Sequence, residues 1–222
     1  MNGKIRLLRF ALILVVAGVV YWQRDRLVDE PASGDRPASA PQASGEKIRG
    51  YDKFTDARLV GDKGNDGDSF TVRADGRDFV LRLYFVDAPE TYLSDTWESQ
   101  QRRVADQAKD MGGISVDQAV EIGQQAKAYT NSLLKGKLFT VYSYWEQVYD
   151  SDRYYGFVEL PDGEYLGTKL VRDGLARVHT KGPGSKEKPV PTPDGSSFYQ
   201  HRDMLDRLVG EARRSSRGAF GF

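Results

Sequence analysis

The sequence predicts an α+β domain that is mainly a small closed β-barrel. Three observations predict it. Short apolar runs at strand spacing recur between Phe54 and His179, separated by turns rich in Gly and Asp. Helical periodicity comes in blocks, so strands and helices do not alternate as a doubly wound sheet requires. The 222 residues are 39% hydrophobic, enough for one core plus appendages.

The chain divides into three parts. Residues 1–26 carry Lys4, Arg6 and Arg9, then an apolar run from Phe10 to Trp22. Counted back to Ile5, with Arg9 snorkelling, the run approaches the roughly 17–25 residues of a spanning helix. It reads as a transmembrane anchor or a cleaved signal segment, and in either case sends the rest of the chain outward. Residues 27–50 are rich in Pro, Ala, Ser and Gly and read as a flexible tether. Residues 51–222 are the folded domain. The expectation is a single-pass cell-membrane protein with an extracytoplasmic domain, or a secreted one after cleavage. It is expected to be a monomer without a protein partner.

Within the domain, Phe54 to Val60 and Ser69 to Ala74 have strand spacing. Asp75-Gly76 signals a two-residue hairpin. Phe79 to Val86 follows as a strand, placing Arg82 among apolar residues, where its charge needs a partner. Tyr92 to Gly113 is polar, with helical character, and reads as an insert beside the groove or a solvated surface helix. Asp117 reads as the cap of the next helix, whose Ala119, Ile122, Ala126, Tyr129 and Leu133 share a face and which ends at Gly136. Leu138 to Trp145 and Tyr154 to Leu160 are strands. Leu166 to Asp173 is a short helix and Leu175 to His179 a short strand. Phe198 to Arg214 is a closing helix with Leu205, Leu208, Val209 and Ala212 on one face.

Composition excludes several chemistries. There is no Cys, hence no disulfide and no thiolate. Two His, at 179 and 201, do not suit a histidine-rich zinc site and read as structural or surface residues. Net charge is zero, so nucleic-acid binding would have to rest on a local site.

Such a site is suggested between Asp66 and Thr91. If the two strands there pair, Asp66, Asp68, Asp87 and Glu90 collect at one edge with Arg82 in reach. Carboxylates beside an arginine suit a hard cation and a phosphate. Taken singly, each residue has a plainer reading as a turn former or a structural ion pair.

Asp66-Gly-Asp-Ser69, Leu81-Arg-Leu83 and Val86-Asp-Ala-Pro-Glu-Thr91 resemble the signature of the staphylococcal nuclease (thermonuclease) family. Gln125 to Leu134, Leu170 to Val178 and Glu211 to Phe220 extend the resemblance over most of Phe54 to Phe220. It implies an OB-fold five-stranded barrel with about three helices and a calcium-dependent site hydrolysing DNA or RNA. It implies Asp68, Asp87 and the Ala88 carbonyl as Ca2+ ligands, Glu90 as general base and Arg82 as the phosphate-neutralising arginine. Asp66 would support the turn.

Two departures stand out. The family's second arginine is missing: counting back from Asp162-Gly163 puts Tyr154 in its place. Arg153, one residue off, is the substitute: a regular strand would turn it to the other face, and a bulge or loop there could bring it back. The family's stacking tyrosines are also absent, with Thr180 and Gly182 near those places. Tyr154 is taken as the substrate-binding aromatic, with Tyr155 beside it, against the plainer reading of core tyrosines. A non-catalytic barrel holding nucleic acid or protein is the alternative, and a tethered structural domain the third.

Overall fold

The computed structural model describes residues 45–222. The amino-terminal apolar run and most of the tether lie outside the described residues. No helix among those described is long and apolar enough to cross a membrane. In chain order the strands are β1 (Lys47–Ile48), β2 (Tyr51–Leu59), β3 (Ser69–Ala74), β4 (Arg77–Leu83), β5 (Val86–Asp87), β6 (Phe139–Gln147), β7 (Arg153–Glu159) and β8 (Arg177–Val178). The helices are α1 (Glu98–Asp110), α2 (Val116–Leu134), α3 (Leu166–Arg172) and α4 (Phe198–Arg214), with a closing 3-10 turn at Gly218–Gly221.

Five strands close on themselves in the order β2-β3-β4-β7-β6, with β6 pairing back to β2 and β1 added at β2. β4 and β7 are parallel and the other ring pairs antiparallel. This is the expected five-stranded barrel, and closure leaves it without a long free edge. Pairing starts at Lys47, ahead of the boundary read at Tyr51. Phe70, Val72, Leu81, Leu83 and Val141 are almost wholly removed from water in one core, each worth roughly 1.5–3 kcal/mol of burial.

The β3–β4 hairpin turns at Asp75 and Gly76, with φ of 50° and 72°. Positive φ at both central residues makes a turn whose twist matches that of the strands. Six aligned pairs from Ser69↔Arg82 to Ala74↔Arg77 follow. That register brings the two acidic motifs to one end of the barrel.

Two readings need correction. The strand read through Val86 stops at Leu83, because Phe85 takes a φ of 68° and breaks the alternation. Val86 and Asp87 then leave the ring and pair with β8. The second helix is capped by Ser115, not Asp117: Ser115 accepts from the Gln118 N–H while Gln118 reaches back to the Ser115 N–H. Ser197 and Gln200 repeat the arrangement on α4.

The fourth helix, α1, comes from the polar insert. Val104 and Ala108 pack on Ala119 of α2 in a small separate cluster. The remaining buried positions of α1 are Gln100 and Gln107. A helix that buries amides must bond them, and Gln107 spends its bonds on the site.

Candidate functional site

Asp68 immediately precedes β3. The turn before it is held by Asp66, whose Oδ1 accepts from the N–H groups of Asp68 and Ser69 at 3.2 and 2.7 Å. Arg82 projects from β4 on the half-buried face, since its neighbours Leu81 and Leu83 occupy the buried one. Asp87 and Ala88 arrive through β5. Asp68 Oδ2 accepts the Ala88 N–H at 2.6 Å and meets Arg82 Nη2 at 3.1 Å. Arg82 Nη2 also donates to Asp87 Oδ1. One guanidinium thus sits between two carboxylates and answers the demand of a charged residue in an apolar strand.

Asp87 is held from its other side too. Its Oδ2 accepts from Arg177 Nε at 2.8 Å and Gln107 Nε2 at 3.0 Å. Arg177 Nη1 continues to Asp110 Oδ2 at 2.6 Å. Gln107 Nε2 also reaches the Ala88 carbonyl at 3.1 Å, and Gln107 Oε1 accepts the Glu90 N–H at 3.3 Å. The Glu90 carboxylate is partly exposed and accepts from Arg103 Nε at 2.8 Å. Helix α2 backs this turn at Gly123, where a Cβ would stand 2.5 Å from the Pro89 carbonyl oxygen and overlap that of Glu90. Only a glycine lets the helix pass so close.

The electrostatics separate the two aspartates. Burial pushes Asp68 well above the usual carboxylate range; Arg82 opposes this, while Asp66 and Asp87 add to it. Burial also acts on Asp87, but Arg82, Gln107 and Arg177 together outweigh it and hold its carboxyl low. For Arg82, burial is overcome by Asp68 and Asp87, so its pKa is raised and the guanidinium stays charged. Asp68 Oδ1 is the one buried side-chain polar atom among the described residues with no hydrogen-bond partner. A buried carboxylate oxygen without a donor is costly, and a cation or a water would satisfy it.

The donor set fits a hard cation. Among the described residues no group of three or more His, Cys, Asp and Glu side chains is gathered to hold a metal. Calcium, however, accepts carboxylate, backbone carbonyl and water oxygens together. Asp68 Oδ1, Asp87 and the Ala88 carbonyl are of those types, and one bond at a carbonyl leaves a lone pair free.

Asp68, Arg82, Asp87, Ala88 and Glu90 are therefore brought together. Arg153 and Tyr154 are placed by the β4–β7 register, which pairs Val80 with Arg153, Leu81 with Tyr154 and Arg82 with Tyr155. Registered partners share a face, so Arg153 lies on the face of Arg82, contrary to the parity read from the sequence. No bulge in β7 is needed; the irregularity lies in β6 between Ser143 and Gln147. Tyr154 shares the face of fully buried Leu81. It is 7% exposed, with its ring edge-on to Trp145 at 5.3 Å. Read as a stacking residue, it is instead packed in the interior. Tyr155 takes the face of Arg82 and stacks on Tyr84 at 5.2 Å. Burial raises its phenol, with Arg82 and Arg153 both pulling against the shift.

Gln107, Arg103, Asp110 and Arg177 were not singled out as site residues in the sequence. The available signal was the spacing of α1, where Gln100 and Gln107 fall in register with Val104 and Ala108. Glutamines on a buried stripe point to an amide with specific partners. His201 is buried beside Phe85, Phe157 and Tyr165, away from these carboxylates.

The family model described as staphylococcal nuclease homologue matches residues 80–190. The match covers half of the chain and includes Arg82, Asp87, Ala88, Glu90, Gln107, Arg153 and Arg177; Asp68 precedes it. A comparison with curated proteins gave no match.

Proposed function

The chain belongs to the staphylococcal nuclease homologue family, and on that premise we propose that it is a calcium-dependent nuclease with little sequence preference, acting on DNA or RNA. Nuclease activity is the family-level assignment. The observation that carries the finer reading is the orphaned Asp68 Oδ1 beside Asp87 and the Ala88 carbonyl, with Arg82 between the carboxylates. Those three residues would hold the calcium ion. Bound there, the ion supplies positive charge for the phosphate and orders water near it.

The chain's own residues divide the remaining work. Glu90, partly exposed, accepts the proton of the attacking water, and Arg103 keeps its carboxylate oriented. Arg82 donates to the phosphoryl oxygens as charge builds on them; it must share hydrogens now given to Asp68 and Asp87. Arg153, on the same face, serves as the second phosphate cation. No described element is shaped to read base edges, so selectivity would follow strand accessibility. The amino-terminal apolar run completes the proposal: it holds the domain outside the cytoplasm, where calcium is plentiful enough for a weak site.

A second reading has its own support. Asp87 already accepts from three donors and Tyr154 is buried, features that a barrel retained for binding alone would tolerate. The purified full chain, incubated with circular single-stranded and duplex DNA, decides. Calcium-dependent cutting abolished by chelator and by Glu90→Gln supports the nuclease. Salt-dependent binding without cutting, across calcium and pH, would establish the binding module instead.

A further inference from the structure

The insert between the acidic turn and α2 lies against the site through its helix. Its helix α1 carries two buried glutamines, Gln100 and Gln107, at 2% and 1% exposure. They serve different places. Gln100 accepts the Ser94 N–H at 2.8 Å and donates to the Tyr92 carbonyl at 2.7 Å, so it orders the loop entering its own helix. Gln107 bonds nothing in that loop. Its single amide touches Asp87, Ala88 and Glu90, three of the four residues in the Asp87-Ala-Pro-Glu90 turn. The fourth, Pro89, has no N–H to offer.

The surrounding contacts hold that amide in place. Val104 and Ala108 seat α1 on Ala119. One turn before Gln107, Arg103 reaches the Glu90 carboxylate; one turn after its neighbourhood, Asp110 takes Arg177, which itself bonds Asp87. The helix therefore meets the turn directly through Arg103 and Gln107, and through Arg177 at Asp110. The turn has little regular structure of its own, because β5 is two residues long and a proline follows.

We infer that Gln107 is a positioning residue. It sets the direction of the Asp87 carboxylate and the Ala88 carbonyl, and with its Oε1 the approach of Glu90, so that the turn is ordered before any ligand arrives. The catalytic part of this inference rests on the nuclease reading; the ordering of the turn does not. A side chain fixed by neighbouring hydrogen bonds keeps its geometry within the narrow limits that cation binding and proton transfer require. Without Gln107, Arg82 and Arg177 would still pair with Asp87, but the Ala88 carbonyl and the Glu90 N–H would lose their partner in the helix.

The test compares Gln107→Ala with Gln100→Ala, which removes an equally buried amide from the same helix without touching the turn. Hydrogen exchange of the full chain is followed in two segments, residues 86–91 and 92–96, without calcium. Gln107→Ala should speed exchange in the first at least tenfold and leave the second, and Gln100→Ala should do the reverse. With calcium, Gln107→Ala should raise the midpoint of calcium-induced thermal stabilisation severalfold and lower kcat more than it alters KM. Equal exchange in residues 86–91 for the two variants would overturn the inference. If the wild type neither cuts nor responds to calcium, the nuclease reading fails, and the exchange comparison still decides whether Gln107 orders the turn. A wild type that cuts, with Gln107→Ala cutting equally well at the same calcium midpoint, sinks the catalytic part alone.

Discussion

Asp68 accepts the backbone N–H of Ala88 at 2.6 Å, joining two acidic motifs twenty residues apart in the chain. The bond occupies Oδ2 and leaves Oδ1 buried without a partner. It sets the geometry from which the first prediction follows.

Asp68→Asn keeps an oxygen for the Ala88 N–H but removes the negative charge. Calcium-dependent cutting should fall at least about a hundredfold, the scale of losing one electrostatic element at a phosphoryl centre. Thermal stabilisation by calcium should vanish, while the calcium-free melting temperature changes little. Retained calcium stabilisation would remove Asp68 from the cation site.

Arg82 and Arg153 should separate stability from chemistry. Arg82→Ala leaves two buried carboxylates without their shared partner and should cost about 3–5 kcal/mol, measured by chemical unfolding. Among the described residues the Arg153 guanidinium makes one long hydrogen bond, to Ser151 Oγ at 3.4 Å, so Arg153→Ala should leave stability within about 0.5 kcal/mol. If it contacts phosphate, the salt slope for single-stranded DNA should fall by about 0.7. An unchanged slope would return the search for the second cation to other residues of that face.

Gly123→Ala tests the backing of the acidic turn. The added methyl group overlaps carbonyl oxygens of Pro89 and Glu90, and backbone must yield. A loss of about 1–3 kcal/mol is expected, with cutting reduced further than the folded fraction explains. A stable, fully active variant would show that the turn can shift without consequence.

Tyr154→Phe keeps the ring packed on Trp145 and removes only the hydroxyl. KM for single-stranded DNA should be unchanged, because the residue is 7% exposed. A raised KM would restore Tyr154 to the substrate surface.

His201 supplies a pH dependence. Burial holds its pKa below the ordinary 6.5, and Asp194 opposes that only in part. The folded state therefore binds fewer protons than the unfolded chain as pH falls through 6.5. Its contribution to stability is present above that value and is lost progressively below it. Asp68, raised by burial, acts with the opposite sign in wild type and variant alike. Denaturant unfolding between pH 7.5 and 5 should therefore show His201→Phe, which suits a site lined by Phe85, Phe157 and Tyr165, gaining stability relative to the wild type as the pH falls.

Local chemistry made much of this protein legible in the chain. Alternation in Ser69 to Ala74 and the Asp75-Gly76 pair determine a hairpin, because positive φ and twist leave few other turns. Helical spacing determines α2 and α4, and the acidic motifs with Arg82 determine the residue types of the site. The tertiary structure decided what depends on register and on distant partners. Arg153 and Tyr154 exchanged their expected faces because pairing with β4, not distance from Asp162, sets the parity of β7. Phe85 broke a strand whose pattern continued through it. The buried amide of Gln107 found its acceptors across a helix, a turn and twenty residues of chain. Periodicity can tell that a side chain faces inward; only the packed neighbours determine which oxygens it meets there.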